Sequence, residues 1–74
     1  MIALQINGRR VELTGPTPLL TYLETLGVSP QAVAVEHNGV IIERSRYEEA
    51  KLDDGDVVEI VRMVGGGATS DFSP

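Results

Sequence analysis

Two Asn-Gly pairs, each set between runs of apolar residues, constrain this chain more than any other feature. Asparagine and glycine both accept positive φ, so the pair suits the tight two-residue turn of a β-hairpin. Before the first pair, Ile2, Leu4 and Ile6 alternate with Ala3 and Gln5. That period of two predicts a half-buried strand. Asn7-Gly8 is the turn, and Arg10-Val11-Glu12-Leu13 is the returning strand. The second pair, Asn38-Gly39, separates Val33-Ala34-Val35-Glu36-His37 from Val40-Ile41-Ile42 and predicts a third and a short fourth strand.

Between the hairpins the pattern changes. Thr14-Gly15-Pro16 breaks the strand, and Leu19, Leu20, Leu23 and Leu26 fall on one helical face. Thr17 is the expected cap and Pro18 the first helical residue, where its missing N–H costs nothing. Gly27 suits a left-handed stop. A helix of about ten residues is marginal alone and needs a sheet to pack on. Further on, Arg44 to Lys51 is polar, with Tyr47 and Leu52 expected to turn inward. Asp53-Asp54-Gly55-Asp56 predicts a tight turn. Val57 to Val64 is the last strand, with Val58 and Ile60 on one face and Glu59, Val61 and Met63 on the other.

The implied class is α+β, a mixed sheet with one main helix packed on one face. The first and last strands are apolar enough to be central neighbours, which is a β-grasp arrangement. The domain is expected over residues 1–64. From Gly65 to Pro74 the chain holds three glycines and one large apolar residue, Phe72. Such a segment gains too little to offset its ordering entropy and is expected to be unstructured.

A chain of 74 residues buries only about 60% of its unfolded surface. A deep pocket would remove side chains that the core needs, so action through a surface or an end is expected. There is no cysteine, hence no disulfide, thiolate metal site or nucleophilic thiol. The net charge is −5, with six basic residues scattered among eleven acidic ones. Nucleic-acid binding relies on clustered Lys and Arg, so that class is disfavoured. No apolar run approaches the roughly 20 residues of a membrane helix. The first residues show no signal pattern, and a cytoplasmic location is the expectation. His37 stands alone. The aspartates around Gly55 lack the length of a calcium loop of about twelve residues. No Lys-Ser/Thr follows Gly65-Gly66-Gly67, so the glycines are not a phosphate loop.

By composition alone that glycine run is a linker. Its neighbours point elsewhere. The segment from Asp54 to Gly67, DGDVVEIVRMVGGG, resembles the carboxy-terminal segment of the ThiS family, sulfur carriers of thiamine biosynthesis. Val33 to Gly39 and Ile41 to Tyr47 are similar too, so the resemblance covers residues 1–67. It implies a ubiquitin-like β-grasp fold and a carrier that is not itself an enzyme. In such carriers a ThiF-type enzyme adenylates the terminal glycine carboxylate with ATP and magnesium. A sulfur donor such as a cysteine desulfurase then yields a thiocarboxylate, and thiazole synthase (ThiG) takes the sulfur. Gly67 or Gly66 would carry the thiocarboxylate, with Gly65 threading into the partner. Val61, Arg62, Met63 and Val64 are the expected docking residues; the alternative for Val61 and Met63 is ordinary burial.

One departure matters. Family members end at the glycines, whereas this chain continues from Ala68 to Pro74. An amide cannot be adenylated as a free acid can. The resemblance implies a removable cap, cut by a metallopeptidase, with a tolerated extension or cloning-derived sequence as alternatives. Rival readings stay open: a carrier for molybdopterin or cysteine synthesis, a β-grasp binding module that is never activated, and a ubiquitin-like tag.

Overall fold

The computed structural model of the chain describes residues 1–64 and 68–71. Strands β1 (Ile2–Ile6) and β2 (Arg9–Leu13) form the first hairpin. A two-residue strand β3 (Thr17–Pro18) leads into helix α1 (Leu19–Leu26). Next come β4 (Val33–His37), β5 (Val40–Ile42), the short β6 (Lys51–Leu52), the long β7 (Val57–Val64) and β8 (Ala68–Asp71). The main sheet runs β2-β1-β7-β4-β5, with β8 added beside β7 and β3 paired to β6 apart from it. β1 and β7 are parallel; the other pairs are antiparallel. This is the mixed sheet with one helix expected from the sequence, with the first and last core strands adjacent at its centre.

Both Asn-Gly turns take the conformation that their composition predicts. Asn7 and Asn38 have φ of 52° and 53°, and Gly8 and Gly39 have 81° and 85°. The asparagine amides then do more than turn the chain. The ladder between β1 and β7 ends at Ile6 and Val58. Asn7 prolongs it: its Oδ1 accepts from Ile60 N–H at 2.7 Å, and its Nδ2 donates to the Ile60 carbonyl at 3.1 Å. Asn38 acts in the same way at the other end, accepting from Val57 N–H at 2.8 Å.

The core lies between the sheet and α1. Ile2, Leu4, Ile6, Val33, Val35, Val58 and Ile60 from the sheet meet Leu19, Tyr22, Leu23, Tyr47 and Leu52. Tyr47 and Leu52 turn inward as expected. Tyr22 joins them where the leucine pattern alone did not place it, while Leu20 and Leu26 are only half-buried. Tyr47 Oη donates to the Val33 carbonyl at 3.0 Å, so its one polar atom is satisfied in the core.

Two expectations are corrected. The helix is eight residues long and begins at Leu19, with Pro18 in the capping position and no side-chain cap. Thr17 instead pairs with Leu52, its hydroxyl donates to the Gly15 carbonyl at 2.9 Å, and Leu19 N–H goes to the Ala50 carbonyl. The Ala50 carbonyl, just before β6, thus supplies a partner for the first helical N–H in place of a side-chain cap. The stop is as predicted: Gly27 is left-handed (φ 74°), with its N–H on the Glu24 carbonyl.

The second correction concerns the tail. Ala68–Asp71 are not unstructured but pair antiparallel with β7, from Val64↔Ala68 to Val61↔Asp71. The reason is an open edge. β1 and Asn7 cover β7 only as far as Ile60, so Val61 to Val64 present an unpaired strand edge beside the tail, and such edges recruit extended chain. Residues 65–67 and 72–74 lie outside the described residues.

Candidate functional site

The root of the glycine tail is the end of β7, the middle strand of the sheet. Strand alternation divides its residues. Val58 and Ile60 enter the core, while Val57, Glu59, Val61 and Met63 lie on the face without the helix. On β4, Ala34 and Glu36 take that same face, opposite Val61 and Glu59 respectively. On β5, Ile41 faces Glu36. A groove of about 270 Å³ results, lined by Ala34, Val35, Glu36, Ile41, Glu59 and Val61. Ile41 is 72% exposed and Met63 39%. Apolar side chains grouped beside a tail root and open to water suit contact with another protein better than they suit catalysis.

The four expected docking residues separate in space. Val61, half-buried, and Met63, exposed, share the helix-free face. Arg62 belongs by alternation to the opposite face, where it lies exposed beyond the core. The Val64 side chain and Gly65, Gly66 and Gly67 lie outside the described residues. Ile41 and Glu36 were not anticipated as part of the face. One signal was present: Val40-Ile41-Ile42 is an apolar run in a short strand, and alternation cannot bury all of it.

The aspartate turn is structural. Asp54 Oδ1 accepts from Ala3 N–H at 2.9 Å, Gly55 N–H donates to the Ala3 carbonyl at 2.8 Å, and Gln5 N–H donates to the Asp56 carbonyl at 2.9 Å. The turn thereby docks on β1. His37 Nε2 lies 2.7 Å from Asp56 Oδ2, which also accepts from Asp53 N–H, while Asn38 Nδ2 donates to Asp56 Oδ1 at 3.2 Å. Partial burial pushes the Asp56 carboxyl up. The hydrogen bonds from His37, Asp53 N–H and Asn38, with the nearby imidazole, more than offset this and hold it below the usual carboxylate range. His37 is thus a staple between two turns. Among the described residues no three His, Cys, Asp or Glu side chains gather as a metal site, and no helix is long and apolar enough to cross a membrane.

Comparison with known proteins agrees with this geometry. The model of the ThiS family matches residues 4–67, which takes in the three glycines and stops before Ala68. The chain is 42% identical over 65 residues to the sulfur carrier protein ThiS of Bacillus subtilis (strain 168), spanning 86% of this chain and 98% of that protein. It is also 38% identical over 65 residues to a thiazole synthase of Paramagnetospirillum magneticum, spanning 88% of this chain but only 20% of that enzyme's length. Among solved structures, a crystal structure of the thiamine biosynthesis protein ThiS from Geobacter metallireducens superposes with a TM-score of 0.76 at 32% identity, over 89% of this chain and 100% of that one.

Proposed function

The chain belongs to the ThiS family of sulfur carriers, and from that premise we propose that it carries sulfur as a thiocarboxylate on its glycine tail for the thiazole of thiamine. The observation that carries this reading is where the family match stops. It runs through the core, along the central strand and on to residue 67.

The chemistry asks little of the domain and much of its end. A carboxylate is a poor acyl donor until one oxygen becomes a good leaving group. A ThiF-type partner with ATP and magnesium supplies that: the glycine carboxylate attacks the α-phosphorus, and pyrophosphate departs. A sulfur nucleophile, delivered by a donor such as a cysteine desulfurase, then attacks the acyl carbon and AMP departs. Where the donor is a persulfide, a thiol cleaves the remaining S–S bond and leaves the thiocarboxylate. Thiazole synthase accepts the sulfur. Glycine suits this because it has no Cβ and lets the backbone approach a nucleotide closely. Fixing a tail residue costs roughly 1–2 kcal/mol, which the partner recovers by binding the folded domain. Val61 and Met63, on the face beside the tail root, are the docking residues; Arg62, which alternates to the opposite face, and Val64, whose side chain lies outside the described residues, are the further candidates from the sequence.

In the 74-residue chain the Gly67 carboxyl is tied up as an amide. A metallopeptidase that hydrolyses the bond after Gly67 frees the acid; cleavage after Gly66 is the variant of the same step. The end of the family match at residue 67 favours the former. The relative in which a like segment forms part of a thiazole synthase chain favours thiamine over molybdopterin or cysteine synthesis. The test is the intact mass of the protein from its own cells. A chain ending at Gly67, with a fraction heavier by the exchange of one oxygen for sulfur, is the expected result. A chain still carrying Ala68 to Pro74 in cells that make thiamine, with no activated form, overturns it.

A further inference from the structure

The helix-free face carries a conflict written into its register. Glu36 on β4 and Glu59 on β7 are direct cross-strand partners. Like charges set opposite each other weaken a strand pair. Among the described residues neither carboxylate has a hydrogen-bond or ion-pair partner. Three of the arginines on other elements are engaged elsewhere. Arg10 pairs with Glu12 at 3.0 Å, Arg46 with Glu49 at 3.4 Å, and Arg44 donates to the Pro30 and Val33 carbonyls. Arg62 alternates to the other face. Glu36 is half-buried and Glu59 exposed, so water screens the repulsion in part. Both carboxylates line the apolar groove together with Ala34, Ile41 and Val61.

We propose that this groove seats a partner surface presenting an apolar side chain flanked by lysine or arginine, with the cation bridging Glu36 and Glu59. The apolar side chain would fill the groove beside Ile41 and Val61, and the cation would turn the repulsion into two charge-assisted hydrogen bonds. The proposal rests on the carrier reading and assigns the place to an acceptor of the thiazole synthase type. A like segment shares one polypeptide with that enzyme in the P. magneticum relative, and the groove adjoins Val61 and Met63, the last described face residues before the tail. A docked acceptor would therefore hold the tail root next to itself. A cation placed between the two cross-strand carboxylates would also remove their like-charge pairing, which favours the complex without further apolar area.

The experiment uses a chain ending at Gly67 and the thiazole synthase of the same cell. Affinity is measured against salt concentration, and denaturant midpoints are measured for the carrier alone. Glu36→Gln/Glu59→Gln and Glu59→Lys are expected to raise the midpoint while weakening binding about tenfold or more and flattening its salt dependence. A merely structural role would move stability and affinity in the same direction. Ile41→Ser, at an exposed position, is expected to weaken binding with the midpoint unchanged. Binding by the double variant equal to that of the parent, with the salt dependence intact, overturns the proposal. So does a parent chain with no affinity for the synthase at any salt. Adenylation of the same parent by a ThiF-type enzyme, followed as pyrophosphate release, then reports separately whether the carrier reading stands.

Discussion

Asn7 does two jobs that no other residue type combines. It holds φ at 52° and offers an amide with a donor and an acceptor that reach the backbone of Ile60. Asn7→Gly keeps the turn and deletes the bridge; Asn7→Ala deletes the bridge and strains the turn. Each lost hydrogen bond is worth about 0.5–1.5 kcal/mol, more when a partly buried partner is stranded. Denaturant unfolding should therefore show a loss of roughly 1–3 kcal/mol for Asn7→Gly and a larger one for Asn7→Ala. At Asp56 the prediction concerns pH. Its folded carboxyl is held below the ordinary range, so the unfolded chain takes up the proton first as pH falls. The stabilisation is complete above the ordinary carboxylate range and disappears as pH drops through the lower folded value. Asp56→Asn should flatten that acid limb in a pH series of unfolding midpoints.

Among the elements, those specified locally were legible in the sequence. The two hairpins follow from Asn-Gly flanked by alternating residues, and the end of α1 follows from Gly27. Elements that depend on a distant partner were not. Thr17-Pro18 looks like a helix start because Pro favours that position. It is a strand because Leu52, far along the chain, comes to pair with it. Ala68–Asp71 looks unstructured because its composition is poor, yet the uncovered edge of β7 takes it up. The same limit applies to the proposed docking face. Alternation along β7 shows that Val61 and Met63 share a side, but joining Glu36 and Ile41 to them requires the register of three strands, which no local pattern encodes. β8 carries its own prediction. In a chain ending at Gly67, amide exchange should quicken at positions among Val61 to Val64 that β8 had covered, and stay slow at Val58 and Ile60, which lie in the core of the sheet.

For the whole molecule, a small core leaves little margin. Typical stabilities of 0.05–0.15 kcal/mol per residue put a domain of this size at roughly 4–11 kcal/mol. Leu23 is completely buried at the centre of the helix–sheet contact. Leu23→Ala should cost about 2–5 kcal/mol, a large share of that total, and lower the thermal midpoint by about 8 °C or more if each kcal/mol shifts it by about 4–8 °C. A calorimetric scan would register this, and a shift of only a degree or two would mean that the core repacks more freely than its burial implies.

A last consequence follows from β7 lying between β1 and β4 with the tail at its end. Traction on that tail acts along the strand axis. The parallel rungs to β1 and the antiparallel rungs to β4 run across that axis, so they resist together, as the teeth of a comb resist sliding, and do not open one at a time like a zipper. In the proposed carrier role, a partner enzyme would haul the glycines in and let them go again while the domain behind them keeps its shape.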